Sequence, residues 1–225
     1  MAGSVVLVSG GMDSAVCLGI AAKNTERLVV LSFDYGQRHK KELQAASLLA
    51  SHYKAEHIVL KLPGFSVWKA SALTDPCMSV PDFEEAQKGQ APVTYVPARN
   101  TVFLSFALSL AEAYGMDAIF IGVNALDYSG YADCRPIFIE RFQTLIDVAT
   151  QRTAEGGRPI LLEAPLLHYS KAQIVRLGAE LGTPFELTWS CYRGEERPCG
   201  ACDSCVLRAK GFENAGLADP LMVAP

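Results

Sequence analysis

The chain has 225 residues, half of them hydrophobic, which suffices for one α/β domain with a sizeable core and a small appendage. No apolar run reaches the roughly 18–20 residues of a membrane span, and the run at 5–8 is too short for a signal peptide, so the expectation is a cytoplasmic protein with no membrane partner. A net charge of −4 with no block of Lys or Arg argues against nucleic acid as a partner, because such surfaces carry a basic stripe; a local pocket for a small anion stays open.

In chain order, Val5, Val6, Leu7 and Val8 predict a first strand that runs straight into Ser9-Gly10-Gly11-Met12-Asp13-Ser14 and a helix over 14–23. A second strand, 28–33, is apolar throughout, as a buried parallel strand should be. Leu43, Ala46, Leu49 and Ala50 recur at helical spacing and predict a helix over 40–53, followed by a strand at 57–62. Residues 63–99 break the rhythm with five prolines and little periodicity, the pattern of a long functional loop. A strongly apolar helix at 101–114 and a strand at 118–123 follow, then a polar loop over 124–136, a helix over 137–152 and a strand at 160–164. The helix at 170–182 carries Ser170 and Gln173 as a capping box and Gly182 as its stop. This alternation implies a doubly wound five-stranded parallel sheet with right-handed crossovers over residues 1–182, then a cysteine-bearing segment, 183–225, packed on it. Ligands of such sheets bind outside the carboxyl ends of the strands, so 9–14, 34–39 and 124–135 should converge on one crevice.

The first of these segments is the most informative. A buried strand feeding a glycine turn at a helix N-terminus gathers backbone N–H groups and a favourable dipole for an anion, and Ser9 and Ser14 add hydroxyl donors. Without Gly-Lys-Ser/Thr it is no Walker A loop, and without G-x-G-x-x-G it is no dinucleotide fingerprint. The spelling Ser-Gly-Gly-x-Asp-Ser resembles the pyrophosphate (PP) loop of the ATP pyrophosphatase superfamily, whose members split ATP between the α- and β-phosphates and form adenylated intermediates.

Four of the seven cysteines, Cys191, Cys199, Cys202 and Cys205, crowd the C-terminal segment, three of them two residues apart. Four thiolates saturate a tetrahedral zinc and leave no position for water, which makes the site structural. An iron–sulfur cluster also takes four thiolates and is the rival. Cys17, Cys77 and Cys134 read as packing or loop residues.

Taken together, Ser9–Ser14, the segment Phe33-Asp-Tyr-Gly-Gln-Arg-His39, the segment Tyr95-Val-Pro-Ala-Arg-Asn100, Gly122-Val-Asn124, residues 127–136 and the cysteine tail resemble the family of 7-cyano-7-deazaguanine synthases nearly end to end. The resemblance implies an ATP-dependent ligase, a homodimer, that turns 7-carboxy-7-deazaguanine and ammonia into the nitrile, with ATP, Mg²⁺ and a structural Zn²⁺. It marks Val8, Ser9, Gly10, Gly11, Met12, Asp13, Ser14, Ala15, Val16, Cys17 and Leu18 as the ATP-binding stretch. Asp13, itself an anion, would orient the loop or hold Mg²⁺. Lys171 matches a phosphate-contacting lysine, and Arg99 would form a bidentate fork with a carboxylate or phosphate. Asp127, Tyr131, Asp133 and Arg135 are the expected acceptor-binding set, a carboxylate taking the two donors on the deazaguanine edge and Tyr128 or Tyr131 stacking on its ring. His39 is left open; the other histidines read as surface or packing residues. Two other classes share parts of this pattern: a tRNA-modifying PP-loop enzyme of the thiolation or lysidine type, and a zinc-stapled binding module without catalysis.

Overall fold

The computed structural model describes residues 1–83, 92–125 and 131–223. Its strands are β1 (Gly3–Leu7), β2 (Arg27–Asp34), β3 (Glu56–Lys61), β4 (Ala118–Ile121) and β5 (Leu161–Glu163). They form one all-parallel sheet in the order β3-β2-β1-β4-β5, as the alternation of elements predicts. The long helices are α1 (Met12–Asn24), α2 (Lys41–His52), α3 (Arg99–Ala113), α4 (Pro136–Ala149), α5 (Lys171–Leu181) and α6 (Asp203–Ala215).

The period-two side-chain alternation of β1 separates two cores. Val5 and Leu7 pack with Leu104 and Ala107 of α3 and with Ile139, Phe142 and Ile146 of α4. Val6 and Val8 pack with Val16 and Leu18 of α1, Leu49 of α2 and Ile174 and Val175 of α5. Because the chain winds outward from β1 to β3 and then returns to add β4 on the other side, the exits of β1 and β4 flank the switch point of the sheet, where a crevice opens.

One expected element needs correction. The helix expected over 137–152 is broken: Thr150 is extended, and its hydroxyl accepts from Thr153 N at 3.3 Å, capping a separate turn at Gln151–Ala154. The segment after 182 is more than a cysteine-bearing tail. It contains α6, which is capped by Cys202 at its start and by left-handed Gly216 at its end, and lies along α5. Phe212 of α6 meets Phe185 edge-on at 5.1 Å in the core shared with α1 and α5. Arg208, almost fully buried, grips Asp219 with two bonds of 2.7 and 2.8 Å and also donates to Thr188 Oγ1 and the Phe185 carbonyl. No helix among the described residues is long and apolar enough to cross a membrane.

Candidate active site

At the exit of β1, Val8 N still donates to Leu31 O at 3.0 Å, and the chain then turns away from the sheet. Gly10 has φ +94°, and a Cβ there would lie 2.1 Å from the Glu42 carbonyl oxygen, so only glycine fits. The loop is braced from inside: Ser9 Oγ lies 3.2 Å from Ser14 Oγ and accepts from Gly11 N, while Ser14 Oγ donates to Gly11 O at 2.9 Å. No side chain caps α1, so its first-turn N–H groups remain for a ligand. The exit of β4 runs so close to this turn that a Cβ on Gly122 would sit 3.0 Å from Asp13 O and Ser14 Cα.

From the far end of the chain, Lys171 at the first position of capped α5 extends its Nζ to 2.6 Å from Asp13 Oδ2. The pair is largely enclosed, with side-chain exposures of 11 % and 20 %. Asp13 Oδ1 is buried and makes no hydrogen bond among the described residues. An uncapped helix start, two hydroxyls and an ammonium held by a carboxylate are suited to hold a polyanion.

A cavity opens from the loop between aromatic walls that include Tyr35, Phe103, Tyr131 and Tyr192. Arg99 opens α3, preceded by Ala98 at φ +53°. Its guanidinium lies 5.8 Å from the Tyr35 ring centre and 5.7 Å from that of Phe103. Its Nη1 donates weakly to Tyr35 OH at 3.4 Å, and its Nε is buried without a partner among the described residues. Burial opposes the charge, but the Tyr35, Tyr131 and Tyr192 hydroxyls hold the guanidinium firmly protonated. Glu42, in the first turn of α2, reaches the same cavity. Burial pushes its carboxyl up to about 7, opposed by Arg99 and reinforced by Cys191.

Of the residues expected from sequence, the structure brings Val8, Ser9, Gly11, Met12, Asp13, Ser14, Arg99, Tyr131 and Lys171 onto the cavity wall. Ala15, Val16, Cys17 and Leu18 are fully buried in the core beneath, where they support the loop. Asp133 and Arg135, expected to bind the acceptor, are not on that wall. The carboxylate of Asp133 accepts from Asn100 N at 2.9 Å and so caps α3, whose own N-cap, Ala98, has no side-chain acceptor. Arg135 Nε donates to Ala132 O at the surface. Asp127 and Tyr128 lie outside the described residues. Glu42, Tyr192, Trp189 and Arg208 line the cavity without having been singled out.

The four C-terminal cysteines are brought together as their spacing suggests, all four sulfurs within 4.8 Å of one another. Cys199 Sγ is 3.9 Å from Cys205 Sγ, and the amides of Cys199 and Cys202 donate to Cys191 and Cys199 sulfurs. Hydrogen bonds from Cys202 and Cys205 pull the Cys191 thiol down, while Cys202 is pushed up to about 11 and Cys205 upward. Four sulfurs this close are suited to exchange their protons for one cation in their midst. The cluster is wired to the loop: Trp189 Nε1 donates to Cys191 O at 3.0 Å, and Trp189 N donates to Gly10 O at 2.8 Å.

Cys134 also lines the cavity, accepting from Asn100 Nδ2 at 3.4 Å. Burial, then Asp133, pushes its thiol up to about 11, which leaves roughly one part in a thousand as thiolate at pH 8. Iodoacetamide at pH 8 is therefore expected to label exposed Cys77 first and to leave Cys134 and buried Cys17 unlabelled until denaturant is added, as read by peptide mass. Labelling of Cys134 at the rate of Cys77 would contradict this placement.

The family described as "Queuosine biosynthesis protein QueC" matches residues 3–216. A curated relative, 7-cyano-7-deazaguanine synthase 2 of Desulfitobacterium hafniense (strain Y51), is 52 % identical over 219 residues, covering 97 % of this chain and 91 % of its own. The 7-cyano-7-deazaguanine synthase of Nitrosococcus oceani is 54 % identical over 222 residues, covering 96 % of both chains. That of Acetivibrio thermocellus is 49 % identical over 219 residues, covering 97 % of this chain and 96 % of its own.

Proposed function

The chain belongs to the QueC family of queuosine biosynthesis, and from that premise we propose that it is an ATP-dependent carbon–nitrogen ligase. Its substrates are 7-carboxy-7-deazaguanine and ammonia, and its product is 7-cyano-7-deazaguanine. A carboxylate is inert to ammonia until one oxygen becomes a leaving group. In the first half, the carboxylate oxygen attacks the α-phosphorus of ATP, the α–β bond breaks, and pyrophosphate departs from an acyl adenylate. Ammonia then displaces AMP and, after losing a proton, leaves the primary amide. In the second half, the amide oxygen attacks the α-phosphorus of a second ATP and pyrophosphate leaves again; the nitrogen of the resulting imidate gives up one proton, and loss of AMP together with the second N–H proton forms the nitrile.

The work of the chain is positioning and charge stabilisation. The first-turn N–H groups of α1, the Ser9 and Ser14 hydroxyls and Lys171 face the cavity where negative charge grows on departing pyrophosphate. Mg²⁺ would be held by Asp13, whose buried Oδ1 lacks a partner, and would shield the phosphates. The single observation that carries the reading is the 2.6 Å contact of Lys171 with Asp13 at the open start of α1.

We take the metal of the cysteine cluster to be Zn²⁺. Zn–S bonds of about 2.3 Å in a tetrahedron place sulfurs about 3.8 Å apart, matching the 3.9 Å between Cys199 and Cys205. An iron–sulfur cluster holds its thiolates on separate irons and farther apart. Four thiolates leave the zinc closed to substrate, so its role is to hold α6 and Trp189 against the loop. In this reading the enzyme is a cytoplasmic homodimer that acts on small molecules.

Incubation with ATP, ammonium and 7-carboxy-7-deazaguanine is expected to yield the nitrile by mass, with two AMP per product. The proposal fails if AMP release does not depend on the acid, and release that requires tRNA would place the chain among tRNA-modifying enzymes instead.

A further inference from the structure

Three charged side chains of the cavity wall, Lys171, Asp13 and Arg208, are already engaged. Lys171 holds Asp13, and Arg208 is engaged by Asp219, Thr188 and Ser190. Two more, Arg99 and Glu42, reach the same cavity and form no ion pair with each other among the described residues. Arg99 keeps a buried Nε without an acceptor among the described residues. Glu42 sits on α2 with its backbone locked beneath the loop, where the Gly10 turn presses on its carbonyl, so its side chain starts from a fixed point. Tyr35, Phe103, Tyr131 and Tyr192 line the same cavity, and Arg99 lies over Tyr35 and Phe103. A guanidinium with a buried, unpartnered Nε and a carboxyl group that share one aromatic-walled cavity are complementary to a planar ligand that presents an acceptor beside two donors.

We propose that Glu42 and Arg99 read the pyrimidinone edge of the acceptor ring, Glu42 accepting from the ring N–H and the exocyclic amine and Arg99 donating to the adjacent carbonyl oxygen. The inference rests on the function proposed above and deepens it by naming what distinguishes a deazaguanine from other planar acids. The expected set of acidic readers does not supply this role among the described residues, since Asp133 is committed to Asn100 N. A carboxylate accepting two donors is a charge-assisted bidentate contact, and a glutamine in its place turns one acceptor into a clashing donor.

The test compares wild type and Glu42→Gln for calorimetric binding of 7-carboxy-7-deazaguanine and of its analogue lacking the exocyclic amine, with metal content and ATP affinity as folding controls. Loss of hydrogen bonds to a charged group is expected to weaken binding of the full acceptor about 10–100-fold, with ATP affinity and metal content unchanged. The amine-less analogue is expected to bind wild type weakly and the variant almost equally, because the missing contact is the same one. If the variant binds the full acceptor as wild type does, the assignment of Glu42 is overturned. It is equally overturned if only the KM for ammonium rises, which would make Glu42 an ammonium site. If wild type itself fails to bind the acid, the function proposed above falls, and this inference with it.

Discussion

Cys202→Ser is expected to remove the metal and most of the folded protein together. Cys202 is buried, serves as the N-cap residue of α6, and its amide donates to Cys199 Sγ at 3.3 Å. Cys205 lies in the first turn of the same helix. Breaking the tetrad therefore frees the start of α6, and with it the Trp189–Ser190–Cys191 strap that holds Gly10 O. Structural zinc contributes on the order of 10 kcal/mol in apparent terms, against a net stability of about 5–15 kcal/mol for a typical domain. Losing one ligand consumes much of that margin. The readouts are metal per chain after gel filtration and soluble yield, which should fall in parallel. A folded, metal-replete Cys202→Ser protein without turnover would move the cluster from a structural to a catalytic role.

What the sequence made legible follows physical lines. The β1 loop stands out because an apolar run, two glycines and a helix pattern meet within ten residues, and each bears on the same backbone. The strands stand out because burial on both faces leaves continuous apolar runs. Helix α6 does not stand out, because its buried positions are Cys205, Arg208, Gly211 and Phe212, an inward face with almost no apolar period. The break at Thr150 is hidden for the opposite reason: Val148 continues the apolar pattern while standing exposed.

The site was half legible. Lys171 and Asp13 are 158 residues apart, and only resemblance to a superfamily joins them in sequence. Glu42 looks like an ordinary first-turn acid complementing a helix dipole, and its place in the cavity depends on how α2 docks under Gly10. Asp133 misleads in reverse. An acid in a polar loop suggests a ligand, but α3 begins after an alanine and takes its cap from across the fold.

Lys171→Met is expected to have the largest effect on chemistry, lowering AMP formation by about 10²–10³-fold, the scale of losing one preorganised donor at developing charge. The same change strips Asp13 of its 2.6 Å partner when Oδ1 already has none. Removing one member of an enclosed pair typically costs about 3–5 kcal/mol, so Lys171→Met should also lower Tm. Asp13→Asn keeps the shape and removes the charge. It should cut turnover without unfolding the chain, and unchanged rates would remove Asp13 from the site. The double variant separates the roles. Because no orphaned carboxylate remains in it, its Tm should recover relative to Lys171→Met alone. If Lys171 acts on pyrophosphate directly, kcat in the double variant stays as low as in Lys171→Met or falls further. If Lys171 merely positions Asp13, the double variant loses no more turnover than Asp13→Asn alone, and the lysine is then a positioning residue. The geometry favours direct action, because Lys171 itself lines the cavity beside the open start of α1.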